Sequence, residues 1–244
     1  MLLIGPTIPA MATWEGFALI VEARHCKRAF LDKPVPRDVL TDVLRSAAHA
    51  PSTRNGQPWR VAVVSGASRD ALADRLCAEF DRGAPARPDY INRPSVLDPI
   101  TELRAARAGA GVLEARAIRR DDAAARRAHL RDNMRFYGAP VEMIFHLPKD
   151  APPGSFLEIG CFLQNVMLGL IASGLGSCPQ YSIAGYPDAI REQLGLGDRL
   201  VVCGLAVGYP DQSSAVNRFV PARAAIEEYV TWHDQAPSPG ATPG

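Results

Sequence analysis

Ala50-Pro51-Ser52-Thr53-Arg54-Asn55-Gly56-Gln57-Pro58-Trp59 is the stretch on which the reading of the fold turns. Pro51 and Pro58 fix φ and donate no N–H. Ser52, Thr53, Asn55 and Gln57 supply donors and acceptors, and Gly56 lets another surface approach the backbone. A loop so built suits a planar heteroaromatic ligand, and a polar helix-to-strand turn accounts equally well for the same composition. Before it, Val39, Leu40, Val43, Leu44 and Ala47 recur at helical spacing, with Pro36 close to the first turn. After it, Val61-Ala62-Val63-Val64 has the continuous apolar character of a buried strand. Helix, loop and strand in that order mark a fold that mixes both elements.

Upstream, Glu22-Ala23-Arg24-His25-Cys26-Lys27-Arg28-Ala29-Phe30 ends an amphipathic segment with Trp14, Phe17, Ile20 and Val21 on one side. Arg24 and Arg28 bracket a turn and can make forked, charge-assisted bonds to a phosphate. Cations are favoured at a helix C-terminus in any case, so this cluster by itself fits a solvated basic patch better.

Taken together, in this order and at this spacing, the arginine turn and the proline-bounded loop resemble the signature of the FMN-dependent nitroreductase family. The resemblance continues through Phe136-Tyr137-Gly138-Ala139-Pro140-Val141, Gly174-Leu175-Gly176-Ser177-Cys178-Pro179, and Arg223 beyond Gly208-Tyr209-Pro210, spanning about residues 14–233. It implies an α+β fold of three layers, α/β/α, with a mixed central sheet flanked by helices and an interlocked homodimer. By the same resemblance Arg24, His25, Cys26 and Arg28 hold the phosphate, ribityl chain and pyrimidine edge of FMN, and Arg223 completes the phosphate cluster. Pro51, Ser52, Asn55 and Gln57 reach that site from the neighbouring subunit. Pro179, Gln180, Tyr181 and Ser182 form a turn near the flavin's redox edge, without the acidic-glycine ending of some members. Cys26 stands where a serine is common.

The activity so implied is ping-pong reduction of nitroaromatic or quinone acceptors by NAD(P)H, with no side chain named as catalytic acid or base. Reductive dehalogenation, other flavin chemistry and a non-catalytic FMN-binding redox sensor are the alternatives, because one scaffold hosts several reactions. Gly174-x-Gly176 and Gly109-x-Gly111 lack the third glycine of a dinucleotide fingerprint, and no G-x-S-x-G elbow is present.

The 244 residues, 47% of them hydrophobic, suffice for one substantial core. A single FMN-binding domain is expected over 14–233, between a flexible extension at 1–13, with Met11 as an alternative start, and a disordered tail at 234–244. A net charge of +1 gives no electrostatic case for nucleic acid or an anionic membrane, leaving a small aromatic substrate as the expected partner. Five cysteines without C-x-x-C spacing and five scattered histidines favour neither a disulfide framework nor a metal site, and a reducing cytoplasm fits them. Met1-Leu2-Leu3-Ile4 is too short for a signal-peptide core. No run is expected to reach the ~18 apolar residues of a membrane span.

Leu72, Leu76 and Phe80 mark a helix, and Val141–Leu147 and Leu200–Val207 read as strands apolar enough to be covered on both faces. Ser155 to Leu175 reads as a helix apolar almost all round, opened by a Ser155/Glu158 capping box. The resemblance puts this helix at the dimer core and lays Ala224–Trp232 across the partner subunit. Residues 83–135, dense in arginine and acidic residues, read as a charged helical excursion with a mostly solvated surface. The resemblance makes that excursion a variable lid over the flavin.

Overall fold

The computed structural model describes residues 13–92 and 94–233, so the expected extension up to residue 12 and the expected tail lie outside the described residues. Four strands, β1 (Arg60–Ser65), β2 (Val141–Leu147), β3 (Gly176–Gln180) and β4 (Leu200–Gly208), form one sheet in the order β1-β2-β4-β3. β2 lies inside the sheet and all 7 of its residues are buried, as expected for a strand covered on both faces. Every pairing is antiparallel. Among the described residues the sheet is therefore antiparallel rather than mixed. The helices between β1 and β2 return the chain to the end of the sheet it has just left, whereas α6 (Pro153–Ala172) carries it across to the opposite end, so that β2 and β3 run in the same direction on either side of β4.

Helices cover both faces. α2 (Arg37–Ala47) and α6 (Pro153–Ala172) pack on one side, where Leu40, Val43, Phe162 and Val166 meet Met143, Phe145 and Leu205. α3 (Gly66–Asp81) and α7 (Pro187–Leu194) cover the other with Leu72, Leu76 and Ile190 against Ile144 and Ala206. Alternate residues of β2 feed the two clusters, and each large apolar side chain buried contributes about 1.5–3 kcal/mol. The result is the α/β/α layering expected from the sequence.

Within 83–135 the chain is helical, as its charged pattern suggested, over α4 (Pro99–Ala115), capped by Asp98, and α5 (Ala123–Met134), capped by Asp122, while the described residues before Pro99 form no helix. α1 (Trp14–Ala23) buries none of its residues, and Trp14 is 73% exposed. Large apolar residues are also exposed on α6, at Leu157, and in the C-terminal segment, at Tyr229 and Trp232. That segment holds only a short 3-10 turn, Ile226–Glu228.

Two expectations for α6 need correction. It starts at Pro153 behind Pro152 and has no side-chain cap, so Ser155 and Glu158 form no capping box. Proline pre-sets φ for a first helical turn, which starts the helix ahead of the serine. Glu158 instead accepts a hydrogen bond from Thr53 N (2.8 Å) and tethers the proline-bounded loop. By length and apolarity α6 could also cross a membrane, contrary to the expectation that no run is long enough. In this fold it is a core helix with Ile159, Phe162, Leu163, Val166, Met167 and Leu170 buried.

Candidate functional site

Residues 24–29 leave α1 without regular structure and are fastened from two sides. Lys27 N donates to Ser177 O of β3 (3.0 Å). Arg28 N donates to Asn217 Oδ1 (2.7 Å), and Asn217 Nδ2 donates to Ala29 O (2.6 Å) and Asp211 O (2.9 Å). Asn217 is buried on α8 (Ala215–Arg218) and holds the turn through its side chain and its carbonyl. That carbonyl accepts from the buried Lys27 ammonium (3.0 Å), which also donates to His25 Nε2 (2.7 Å) when His25 gives its Nδ1–H to Ala23 O (3.0 Å).

The turn so held lines a cavity of about 370 Å³. Arg24, His25, Cys26 and Arg28 form one wall, α4 and His129 of α5 form another, and Tyr137, Phe219 and Arg223 complete it. Gly111 on α4 has no Cβ because the Phe219 ring lies where one would be. Arg116, at the end of α4, pairs with Asp132 (2.6 Å) and donates to Arg28 O (2.8 Å), which ties both helices to the turn. Among the described residues no carboxylate lies within salt-bridge distance of Arg24, Arg28 or Arg223. His129 Nδ1 is buried without a hydrogen-bond partner, and burial, with Arg116 and Arg28 nearby, lowers its pKa. Converging cations without acids, beside an unsatisfied ring nitrogen, form a site for an anion with polar edges.

Pro51, Ser52, Asn55 and Gln57 do not line this cavity. Their loop is held internally: Ser52 Oγ accepts from Gln57 N (3.1 Å), and Gln57 Nε2 donates to Asn55 O (3.0 Å). Arg54, Asn55 and Gln57 all have positive φ (52°, 56° and 46°), a conformation costly for residues with a Cβ and concentrated where loops serve a ligand. Gly56 has an ordinary φ of −69°, and its missing Cβ clears the Thr53 carbonyl rather than an outside surface. Pro51 and Asn55 remain exposed.

Pro179 and Gln180 are not in a turn. They end strand β3, and only Tyr181 and Ser182 follow it. Gly-Ser-Cys-Pro carries little strand signal, and Pro179 is tolerated because β3 ends the strand order. Asn133 of α5 gathers this region. Its carbonyl accepts from Gln180 Nε2 (2.8 Å), and its Oδ1 accepts from Ser182 Oγ (3.0 Å) and Tyr137 OH (2.6 Å). Sequence reading missed Asn133, Asn217, Arg116 and His129, because a polar residue inside a charged helix or short loop looks like solvated surface.

The nitroreductase family profile matches residues 21–209. The chain belongs to the nitroreductase family. It is 36% identical over 218 residues to the chloronitrobenzene nitroreductase of Comamonas testosteroni, covering 87% of this chain and 95% of that one. Among solved structures, this nitroreductase resembles the FMN and NADPH-dependent nitroreductase NfnB of Sphigopyxis sp. strain HMH with a TM-score of 0.87, at 35% identity, over 90% of this chain and 99% of the other. The FMN-dependent nitroreductase NfnB of Mycobacterium smegmatis, in complex with NADPH, gives a TM-score of 0.86 at 32% identity, covering 91% and 100%.

Proposed function

We propose that this nitroreductase is an FMN-dependent enzyme that uses NAD(P)H to reduce nitroaromatic or quinone acceptors, as a homodimer in the cytoplasm. The observation that carries this reading is the cavity on which Arg24, Arg28 and Arg223 converge without acidic partners. A flavin mononucleotide fits that donor set: its phosphate matches the guanidinium groups, and its polar ring edge suits the orphaned His129 ring nitrogen. Bound FMN supplies the two-electron chemistry between the nicotinamide donor and the acceptor.

The chain's own groups bind, orient and enclose. Arg24, Arg28 and Arg223 take the phosphate, His25 and Cys26 take the ribityl and pyrimidine side, and Lys27 and Asn217 set the turn that presents them. Pro179, Gln180, Tyr181 and Ser182, braced by Asn133, border the redox edge. α4 and α5 act as the lid that selects the acceptor. Pro51, Ser52, Asn55 and Gln57 complete the site of the other subunit, a role supported by the exposure of Pro51 and Asn55 and the positive φ of Asn55 and Gln57, away from this chain's cavity. Exposed Trp14, Leu157, Tyr229 and Trp232 support a dimer interface along α1, α6 and the C-terminal segment. Five free cysteines support a reducing compartment.

Anaerobic mixing of the flavin-loaded protein with NADPH or NADH tests the activity. Rapid loss of the flavin absorbance, recovered on adding a nitroarene, is the expected result. Absence of bleaching with both nicotinamides would make the protein a binding module, and turnover biased to halophenols would assign dehalogenation instead.

A further inference from the structure

Cys26 and Cys178 flank one backbone hydrogen bond, Lys27 N to Ser177 O (3.0 Å). Cys26 lies on the irregular turn and lines the arginine cavity, and it packs against the apolar cluster to which Cys178 belongs. Cys178 is fixed on β3 opposite Ala206 and is only 1% exposed. One thiol thus faces the cavity and the other stands behind it in the wall.

Their surroundings differ in the way an attacking and a resolving cysteine differ. The neighbouring Cys178 thiol holds Cys26 below the ordinary thiol value, and Arg28, Arg24 and His25 add to this against the opposing effect of burial. The same proximity, with burial, pushes Cys178 up, and its thiol donates to Pro179 O (3.8 Å). A thiolate-prone sulfur at a cavity surface is the one that peroxide oxidises to a sulfenic acid, and a second thiol beside it captures that sulfenic acid as a disulfide once it gives up its proton.

We infer that Cys26 and Cys178 form a peroxide-sensitive dithiol that closes to a disulfide when the cavity holds no cofactor. The Cys26 thiolate attacks one peroxide oxygen and the O–O bond breaks. The departing hydroxide takes a proton to become water, leaving Cys26 as a sulfenic acid. The Cys178 sulfur then attacks the Cys26 sulfur, and the sulfenic oxygen leaves as water with the Cys178 proton. Two thiols and one peroxide give one disulfide and two waters, the two electrons passing from sulfur to oxygen. An S–S bond of about 2.05 Å draws Cys26 off the cavity wall and moves the flanking Arg24 and Arg28. Closure therefore weakens cofactor binding, and bound cofactor covers Cys26 against oxidation. These two consequences rest on the FMN reading above, whereas disulfide formation does not.

The test treats full-length protein, stripped of flavin and in parallel saturated with FMN, with graded hydrogen peroxide, then alkylates and maps the peptides by mass spectrometry. The expected product in the stripped protein is a Cys26–Cys178 cross-linked peptide, formed ahead of oxidation at Cys77, Cys161 or Cys203 and reversed by dithiothreitol. The oxidised protein should bind FMN about tenfold or more weakly, as for the loss of one charged hydrogen bond. The saturated protein should resist. Cys178→Ala and Cys178→Ser should both leave a dimedone-reactive sulfenic acid at Cys26, and Cys26→Ser should show neither product. Persistence of two alkylatable thiols at Cys26 and Cys178, or pairing of other cysteines first, overturns the dithiol. Equal oxidation rates with and without FMN overturn its coupling to the cofactor. If reduced protein binds no FMN, the functional reading fails while the peptide map still decides the dithiol.

Discussion

Arg28 and Arg223 reach one cavity from opposite ends of the chain, and neither has a carboxylate partner among the described residues. Each can therefore give its full charge to a bound phosphate. Removing either should lose a charged hydrogen bond of about 1.5–3 kcal/mol, a ten- to hundredfold weakening of FMN binding. Riboflavin lacks the phosphate and should bind Arg28→Ala and Arg223→Ala almost as it binds the parent. Fluorescence titration with both flavins checks this, and unchanged FMN affinity in both variants would remove these residues from the site. Taken alone, Arg24 and Arg28 read as a solvated basic patch, and only the family resemblance put them and Arg223 at one site. Asn217 was not legible in the sequence: its role comes from where α8 brings its amide, and no local spacing encodes that.

At the scale of elements, the strongest sequence signals were the strands covered on both faces, and β2 and β4 lie where their apolar runs put them. β3 escaped because its residues have weak strand preference and its place is decided by pairing with β4. The start of α6 was misplaced because Pro153 opens a helix as well as Ser155 does. β2 also carries an anomaly that its apolar pattern hides. Glu142 is fully buried, and both carboxylate oxygens lack a hydrogen-bond partner. Gly204, on β4 two residues from Glu142's register partner Ala206, leaves room for it, since a Cβ there would collide with Glu142 Oε1. Burial pushes the Glu142 carboxyl well above its ordinary value, so the folded chain keeps the proton after the unfolded chain has released it. Stability from this group is complete below the unfolded value of 4.5 and declines as pH rises toward the folded value. Glu142→Gln should lose that decline and gain on the parent progressively as pH is raised. Urea unfolding of both proteins across mildly acidic to mildly alkaline pH measures it; parallel curves would show that Glu142 does not titrate differently on folding.

For the whole molecule, the covering of the sheet on both faces was readable from local patterns, whereas the three-layer fold and the proposed division of the site between subunits came from the family resemblance. A single chain brings the arginine turn, Arg223, α4 and α5 to one cavity and leaves Pro51, Ser52, Asn55 and Gln57 outside it. Two defective subunits should therefore repair each other. A subunit with Arg28→Ala keeps a sound loop, and a subunit with Asn55→Ala and Gln57→Ala keeps a sound arginine turn. In a mixed dimer, one site collects every defect and the other collects none. The decisive measurement is FMN titration of differently tagged mixed dimers, isolated after the two variants are co-expressed. A shared site predicts one FMN per mixed dimer bound with parental affinity, while each variant's own dimer binds weakly at both sites. Mixed dimers that bind no more tightly than either parent variant would place the loop and the arginine turn in the same chain's site and contradict the account.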